Sequence, residues 1–361
     1  MGTDGEKQLR GFYRLSFYLA LVLLLWERAS AQTRYSVPEE VRVGTVVGNV
    51  AKDLGLDLSS LTDRRFRAVS GNEEAIFEVN QNNGALYVHK HIDREQLCQG
   101  SGACVMELKI LVENPLEIHY ISVEITDVND HSPTFPEKEQ TFEIAEHTLP
   151  GRRFQLHTAR DPDAGMNSIR TYTLTANEHF EINVRQSDAG KIPFLVLKKM
   201  LDREQKDKHT LIVTAVDGGK PQKSGVLNVT VLVLDSNDNR PTFNQETYEI
   251  SIKENIQIGT TIFRLNATDP DEGSNGEIEY RFGKTVKKSV SDTFELDKLT
   301  GDIKVKGLVD YEQNDVYELD IDASDKGTPP LSRECRVIIK IIDVNDNSPE
   351  IEVTSLSNSV P

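Results

Sequence analysis

The chain has 361 residues, with 41 Lys and Arg against 58 Asp and Glu, a net charge of −17 and three cysteines. Such a length suits roughly two to four domains. The acidic balance excludes a nucleic-acid binder, which needs a basic face to displace counterions, and favours cations or a basic partner.

Residues 1–31 read as a secretory signal. Lys7, Arg10 and Arg14 precede an apolar run over 15–26, and Ala29, Ser30 and Ala31 offer a small-residue cleavage site before Gln32. The run is short for a bilayer span, a signal anchor being the alternative. No later stretch has the length and apolarity of a transmembrane helix, so the chain as it stands is expected outside the cell without an anchor. Cleavage would also remove Trp26, the only tryptophan.

A first unit is expected over 32–133. Its helix content should be short turns, around 53–58. Cys98 and Cys104 bracket QGSGA, a loop short enough to close on itself, and export permits that disulfide. His89 and His91 would share a strand face, as a solvated pair rather than a metal site. A second unit follows over 134–241 and a third over 242–349, with 350–361 opening a fourth. Segments such as HTLIVTAVD, VLNVTVLVLD, YEISIKEN and CRVIIKIID alternate at a period near two between turn signals such as DGGKP and KGTPP. The fold class is therefore all-β: tandem immunoglobulin-like Greek-key sandwiches. In that alternation Leu227, Val229, Val231 and Val233 face a core, as do Cys335, Val337, Ile339 and Ile341. Cys335 reads as a small hydrophobe, with an intermolecular disulfide as the alternative. Asn228 and Asn266 open Asn-x-Thr sequons, and Asn228 should point outward between two core residues.

The units repeat one set of acidic motifs. DVNDH, DSNDN and DVNDN begin at Asp127, Asp235 and Asp343, each step being 108 residues. DRE recurs at 93–95 and 202–204, with DYE at 310–312; DPDAGMN at 161–167 matches DPDEGSN at 269–275; AVDGG at 215–219 matches ASDKG at 323–327. A period this long means tandem domains rather than a solenoid. The leading Glu, the DRE and the DxND run should gather at the bottom of one unit. The DxD and the Asp of AVDGG should gather at the top of the next. The first junction then collects Glu39, Asp93, Glu95, Asp127 and Asp130 with Asp161, Asp163 and Asp217. The second collects Glu146, Asp202, Glu204, Asp235 and Asp238 with Asp269, Asp271 and Asp325.

Eight carboxylates in one small volume repel strongly unless neutralised. Calcium fits, because it takes six to eight oxygens in loose geometry. Asn129 and Asn237 would add side-chain oxygens, and His131, Asn167, Asn239 and Asn275 backbone oxygens. Zinc is disfavoured, since no His/Cys cluster accompanies the acids. An EF-hand fails on detail: DPDAGMNSIRTY has Gly165 at loop position five and Tyr172 where a bidentate Glu belongs, and Gly273 and Tyr280 repeat the mismatch. Glu254, Asp310, Glu312, Asp343, Asn345 and Asp346 form a donating half whose receiving half is missing, so the chain reads as part of a longer array. The first unit has Glu113-Asn114-Pro115 in place of a receiving half.

These motifs, in order over 32–349, resemble cadherin extracellular repeats. YSVPEE at 35–40, VGNVAKDLGL at 47–56 and the Cys98–Cys104 loop look like the clustered protocadherins of the alpha and gamma groups. The resemblance implies three calcium ions per junction, homophilic recognition of the same or a closely related protocadherin on an apposed cell, use in neurons, and no small-molecule substrate or nucleic acid. It implies a single-pass type I protein on the extracellular side of the plasma membrane. It also implies pairing of repeats two and three in trans, with repeat one against an absent repeat four, and without a tryptophan the strand-swap adhesion of related cadherins is excluded. A secreted ligand or decoy for a different receptor is the rival reading, and an enzyme a distant third, as every acid already has a structural assignment.

Overall fold

The computed structural model describes residues 33–69, 75–98, 102–187 and 190–352. The expected signal over 1–31 and most of the expected fourth-unit start lie outside them. Three hydrophobic cores form in sequence and share no residue. The first packs Phe66, Phe77, Leu86, Ile110 and Ile121; the second Leu156, Phe180, Leu195 and Leu227; the third Phe294, Ile303, Leu319 and Ile339.

Around the first core lie β1 (Thr33–Pro38), β2 (Val46–Asn49), β3 (Arg67–Val69), β4 (Phe77–Val79), β5 (Ala85–Val88), β6 (Cys104–Val112) and β7 (Glu117–Thr126). They form sheets of order β1-β7-β6-β3 and β2-β5-β4. The second unit has β8 (Glu139–Ala145), β9 (Arg153–Gln155), β10 (Ile169–Leu174), β11 (Phe180–Ser187), β12 (Gly190–Leu197), β13 (Lys208–Asp217) and β14 (Ser224–Leu234). Its sheets are β10-β13-β14-β8 and β11-β12-β9. The third has β15 (Thr242–Phe243), β16 (Thr247–Lys253), β17 (Thr261–Arg264), β18 (Ala267–Thr268), β19 (Glu279–Phe282), β20 (Phe294–Leu296), β21 (Asp302–Val305), β22 (Val316–Ser324) and β23 (Ser332–Ile342). Here the sheets are β16-β23-β22-β19 and β17-β21-β20, with a small β15-β18 pair.

Period-two alternation makes these strands. Along β14 the side chains of Leu227, Val229, Val231 and Val233 are buried while Asn228 is exposed, and along β23 Cys335, Val337, Ile339 and Ile341 are buried. Burial pushes the Cys335 thiol up to about 12, so it behaves as a hydrophobe. In every unit the first long strand pairs parallel with the last: β1 with β7, β8 with β14, β16 with β23.

Helix is confined to short pieces, and those of the first unit flank the expected 53–58 rather than fill it. One spans Val50–Asp53, capped by the Asn49 side chain accepting from Lys52 N at 2.9 Å, and a 3-10 turn spans Leu58–Ser60. The stretch between them is non-helical because Gly55 takes φ +70 and ends the first turn. Two more turns, Arg94–Leu97 and Lys288–Thr293, complete the helices among the described residues. Cys98 and Cys104 are disulfide-bonded, with Cα atoms 5.7 Å apart. His89 and His91 lie beyond the end of β5, half-exposed, each beside its own glutamate: Glu78 at 3.1 Å and Glu40 at 3.1 Å. The strand they were expected to share has already ended.

Candidate functional site

The parallel first-to-last pairing sets the leading glutamates beside the linkers. Glu39 follows β1, and its amide donates to Thr126 O at the end of β7. Its side chain is 2% exposed and accepts from Val128 N at 2.8 Å and Arg94 N at 2.6 Å. Glu146 repeats this with Ser236 N at 2.7 Å and Arg203 N at 2.9 Å, and Glu254 with Val344 N at 2.6 Å and Tyr311 N at 2.9 Å. Each buried glutamate thus ties the DRE or DYE turn to the DxND run. The Asp of each DRE or DYE caps its own turn. Asp93 accepts from Gln96 N and Nε2, Asp202 from Gln205, and Asp310 from Gln313.

Across the first junction, Asp127 accepts from Ala164 N at 2.8 Å and Asn167 Nδ2 at 2.9 Å. Asp235 does the same with Glu272 N at 3.1 Å and Asn275 Nδ2 at 2.8 Å. The first Asp of the DxND run is therefore clasped by the following DxD loop. A tyrosine anchors that loop: Ala159 N donates to the Tyr172 hydroxyl and Ala267 N to Tyr280. These are the tyrosines that ruled out an EF-hand. Asp163 accepts from the His131 amide, and Asp271 from that of Asn239. Asp217 and Asp325 are buried at the ends of β13 and β22, holding the amides of Gly219 and Gly327 at 3.1 and 2.9 Å.

Asn129 donates from Nδ2 to Pro221 O at 2.6 Å, and Asn237 to Pro329 O at 2.7 Å. Glycine makes room for both. A Cβ on Gly219 would sit 2.1 Å from Asn129 Nδ2, and one on Gly327 2.2 Å from Asn237 Nδ2. Asn237 Nδ2 also donates to Asp325 Oδ1 at 3.2 Å, while the Oδ1 of each asparagine is buried without a partner.

Two arginines went unread in the sequence. Arg94, 3% exposed, reaches Asp127 and Glu95, each at 3.3 Å. Arg203 reaches Asp235 and Glu204, each at 2.5 Å, and bonds Pro270 O of the next unit at 2.7 Å. The repeated "R" of DRE was the available signal. Lys223 Nζ also donates to Asp130 O, at 2.6 Å.

These cations do not balance the acids. Burial first and the Glu39 carboxylate second push Glu95 up to about 7, and burial followed by the Asp161 charge pushes Asp163 up to about 6. Asp161, Glu204, Asp238 and Asp269 are also raised, burial being the largest cause in each.

Buried oxygens test what the clusters are built to hold. Among the described residues, Glu95 Oε2, Asn129 Oδ1, Asp161 Oδ2, Asp217 Oδ2, Asn237 Oδ1 and Asp269 Oδ2 are shut from solvent with no hydrogen-bond partner. Elsewhere only Ser122 Oγ and His157 Nδ1 share that state. Leaving such an atom unpaired costs about 1–3 kcal/mol, more for a charged group. Their concentration at the two junctions, all of them oxygens, fits a hard cation.

The third set is not assembled in this way. Glu254 is buried, but Asp343, Asn345 and Asp346 are exposed, and Asp346 accepts from Asn255 and Asn347. Glu312 is likewise exposed on the DYE turn. Asn228 and Asn266 are both exposed. No helix among the described residues is long and apolar enough to cross a membrane.

A cadherin-like family matches residues 32–114, and the cadherin domain family matches residues 140–234 and 248–342. The chain is similar to protocadherin alpha-6 of Homo sapiens, 48% identical over 338 residues that cover 93% of this chain and 36% of that protein. It is 45% identical to protocadherin gamma-C3 of Pan troglodytes over 342 residues, covering 94% and 37%. Its fold is similar to the crystal structure of protocadherin gamma C5 EC1-3, with a TM-score of 0.82 at 44% identity, covering 86% of this chain and 100% of that one. The chain spans little more than a third of the length of the curated relatives it matches.

Proposed function

The chain belongs to the cadherin superfamily, among the clustered protocadherins of the alpha and gamma kind, and on that premise we propose that it is a calcium-dependent homophilic recognition module acting outside neuronal cells. The family is one of adhesion proteins. The observation that carries the calcium reading is the set of six partnerless buried oxygens at the junctions.

At the first junction the ion-holding groups are Glu39, Asp93, Glu95, Asp127, Asn129 and Asp130 from one unit and Asp161, Asp163 and Asp217 from the next. Glu146, Asp202, Glu204, Asp235, Asn237, Asp238, Asp269, Asp271 and Asp325 are their counterparts at the second. Calcium would supply the positive charge and loose oxygen coordination that these groups need. Without it, the acids of adjoining units repel across a linker that only a few hydrogen bonds span. Extracellular modules bind calcium with dissociation constants of roughly 10⁻⁴–10⁻³ M, so millimolar calcium largely fills such sites. Glycans on exposed Asn228 and Asn266 belong to the same extracellular reading.

Limited proteolysis tests the calcium role. Cleavage near 130–134 and 238–242 is expected in chelator and suppressed in calcium. Equal resistance in both buffers would remove the stiffened-junction reading. Recognition is tested by mixing cells that display the chain with cells that lack it. Self-sorting in calcium is expected, and attachment only to the lacking cells overturns the homophilic reading.

A further inference from the structure

At the first junction the DxND run ends in a histidine where the second and third runs carry Asn239 and Asn347. His131 Nδ1 lies 2.6 Å from Asp130 Oδ1 and 3.0 Å from Asp163 Oδ1. Asn239 Nδ2 makes the same pair of contacts, at 2.7 Å each, with Asp238 and Asp271. The two side chains occupy one position, but their chemistry differs. An amide nitrogen has no lone pair for a metal, whereas a neutral imidazole is the commonest nitrogen ligand in proteins.

Glu95, Asp130, His131 and Asp163 each place one ligand atom within 4.8 Å of the others. Asp163 is wholly buried at its side chain, and Glu95 Oε2 is closed to solvent without a partner. Behind them Asp217, 0% exposed, leaves Oδ2 unpaired within electrostatic reach of Asp161. One nitrogen with three carboxylate oxygens is a donor set for a borderline transition ion rather than for calcium alone.

We propose that the first junction also binds a borderline divalent ion such as zinc, through His131 Nδ1 and the carboxylates of Glu95, Asp130 and Asp163, and that the second junction does not. Competition with calcium for these carboxylates rests on the calcium reading above, while the zinc site rests on His131. The second junction has a histidine nearby, His147, 3.4 Å from Asp238. There His147 and Asp238 are both exposed, and unlike the first-junction group this one holds no buried oxygen without a partner among the described residues.

Cobalt absorption and zinc protection on the full chain test this. Cobalt(II), standing in for zinc in calcium-free buffer, should give a visible band of low coordination number. His131→Asn installs the residue of the other two runs; it should abolish that band and weaken zinc by at least the roughly tenfold that even an outer-shell partner is worth. His147→Asn should leave both unchanged. Zinc alone should slow cleavage near 130–134 but not near 238–242, and calcium should protect both junctions in wild type and in His131→Asn. A band or zinc protection that survives His131→Asn, or equal zinc protection of the two junctions, overturns the proposal. If calcium protects neither junction, the calcium reading fails and the zinc result stands on its own.

Discussion

Glu95 and Asp163 bring proton chemistry to the first junction. Their folded values of about 7 and about 6 lie above the ordinary 4.5 and 3.8. Between the ordinary and the folded values the native chain holds protons that the unfolded chain has released. Stability linked to these two acids is therefore full at the acid end of the window and is lost as pH rises through about 7. The calcium-free protein should melt higher at pH 5.5 than at pH 7.5. In calcium the order should reverse, because protons then compete with the ion. Scanning calorimetry in chelator and in calcium reads both, and the same sign in both buffers counts against the assignment. Asn129 offers a second test. Gly219→Ala places a methyl against its amide and should weaken calcium at the first junction while the second stays unchanged, as read by site-resolved protease protection. At this scale residue type and spacing made legible which acidic and amide side chains meet at the junctions. The sequence hid which atom of each amide is hydrogen-bonded, because that depends on Pro221 and Pro329 arriving from the next unit. It likewise hid the imidazole of His131, whose partner Asp163 lies 32 residues away.

Strands were the most readable elements, since alternation of β-branched residues needs only local pattern. Leu227 on β14 is fully buried while Val226 beside it is 56% exposed. Leu227→Ala should cost the second unit about 2–5 kcal/mol in denaturant unfolding. Val226→Ala should stay within about 0.5 kcal/mol. Equal effects would mean that the core face of β14 is misassigned. The helical turns were poorly readable for a physical reason. A turn such as Arg94–Leu97 is too short to display a 3.6-residue period and exists because Asp93 caps it. Its signature is a single D-x-x-Q, repeated at 202–205 and 310–313, which the reading of those acids as ligands concealed.

Across the whole molecule, the 108-residue step of the acidic motifs already implied tandem units, and the three separate cores follow it. The parallel pairing of each unit's first long strand with its last could not be read from alternation, which says which face is buried but not which strand is the neighbour. That pairing has a mechanical side. Tension applied through the two ends of a unit enters along one strand and leaves along its neighbour, so the ladders joining 247–253 to 336–342 and their counterparts are loaded in shear. All rungs of a sheared ladder resist together, whereas an unzipped ladder yields one rung at a time. Pulled between two surfaces, each unit should give way in a single event at high force, with a sawtooth in single-molecule force spectroscopy whose step for the first unit is shortened by the Cys98–Cys104 loop. A protein strung between cells would then hold its length until a whole unit ruptures.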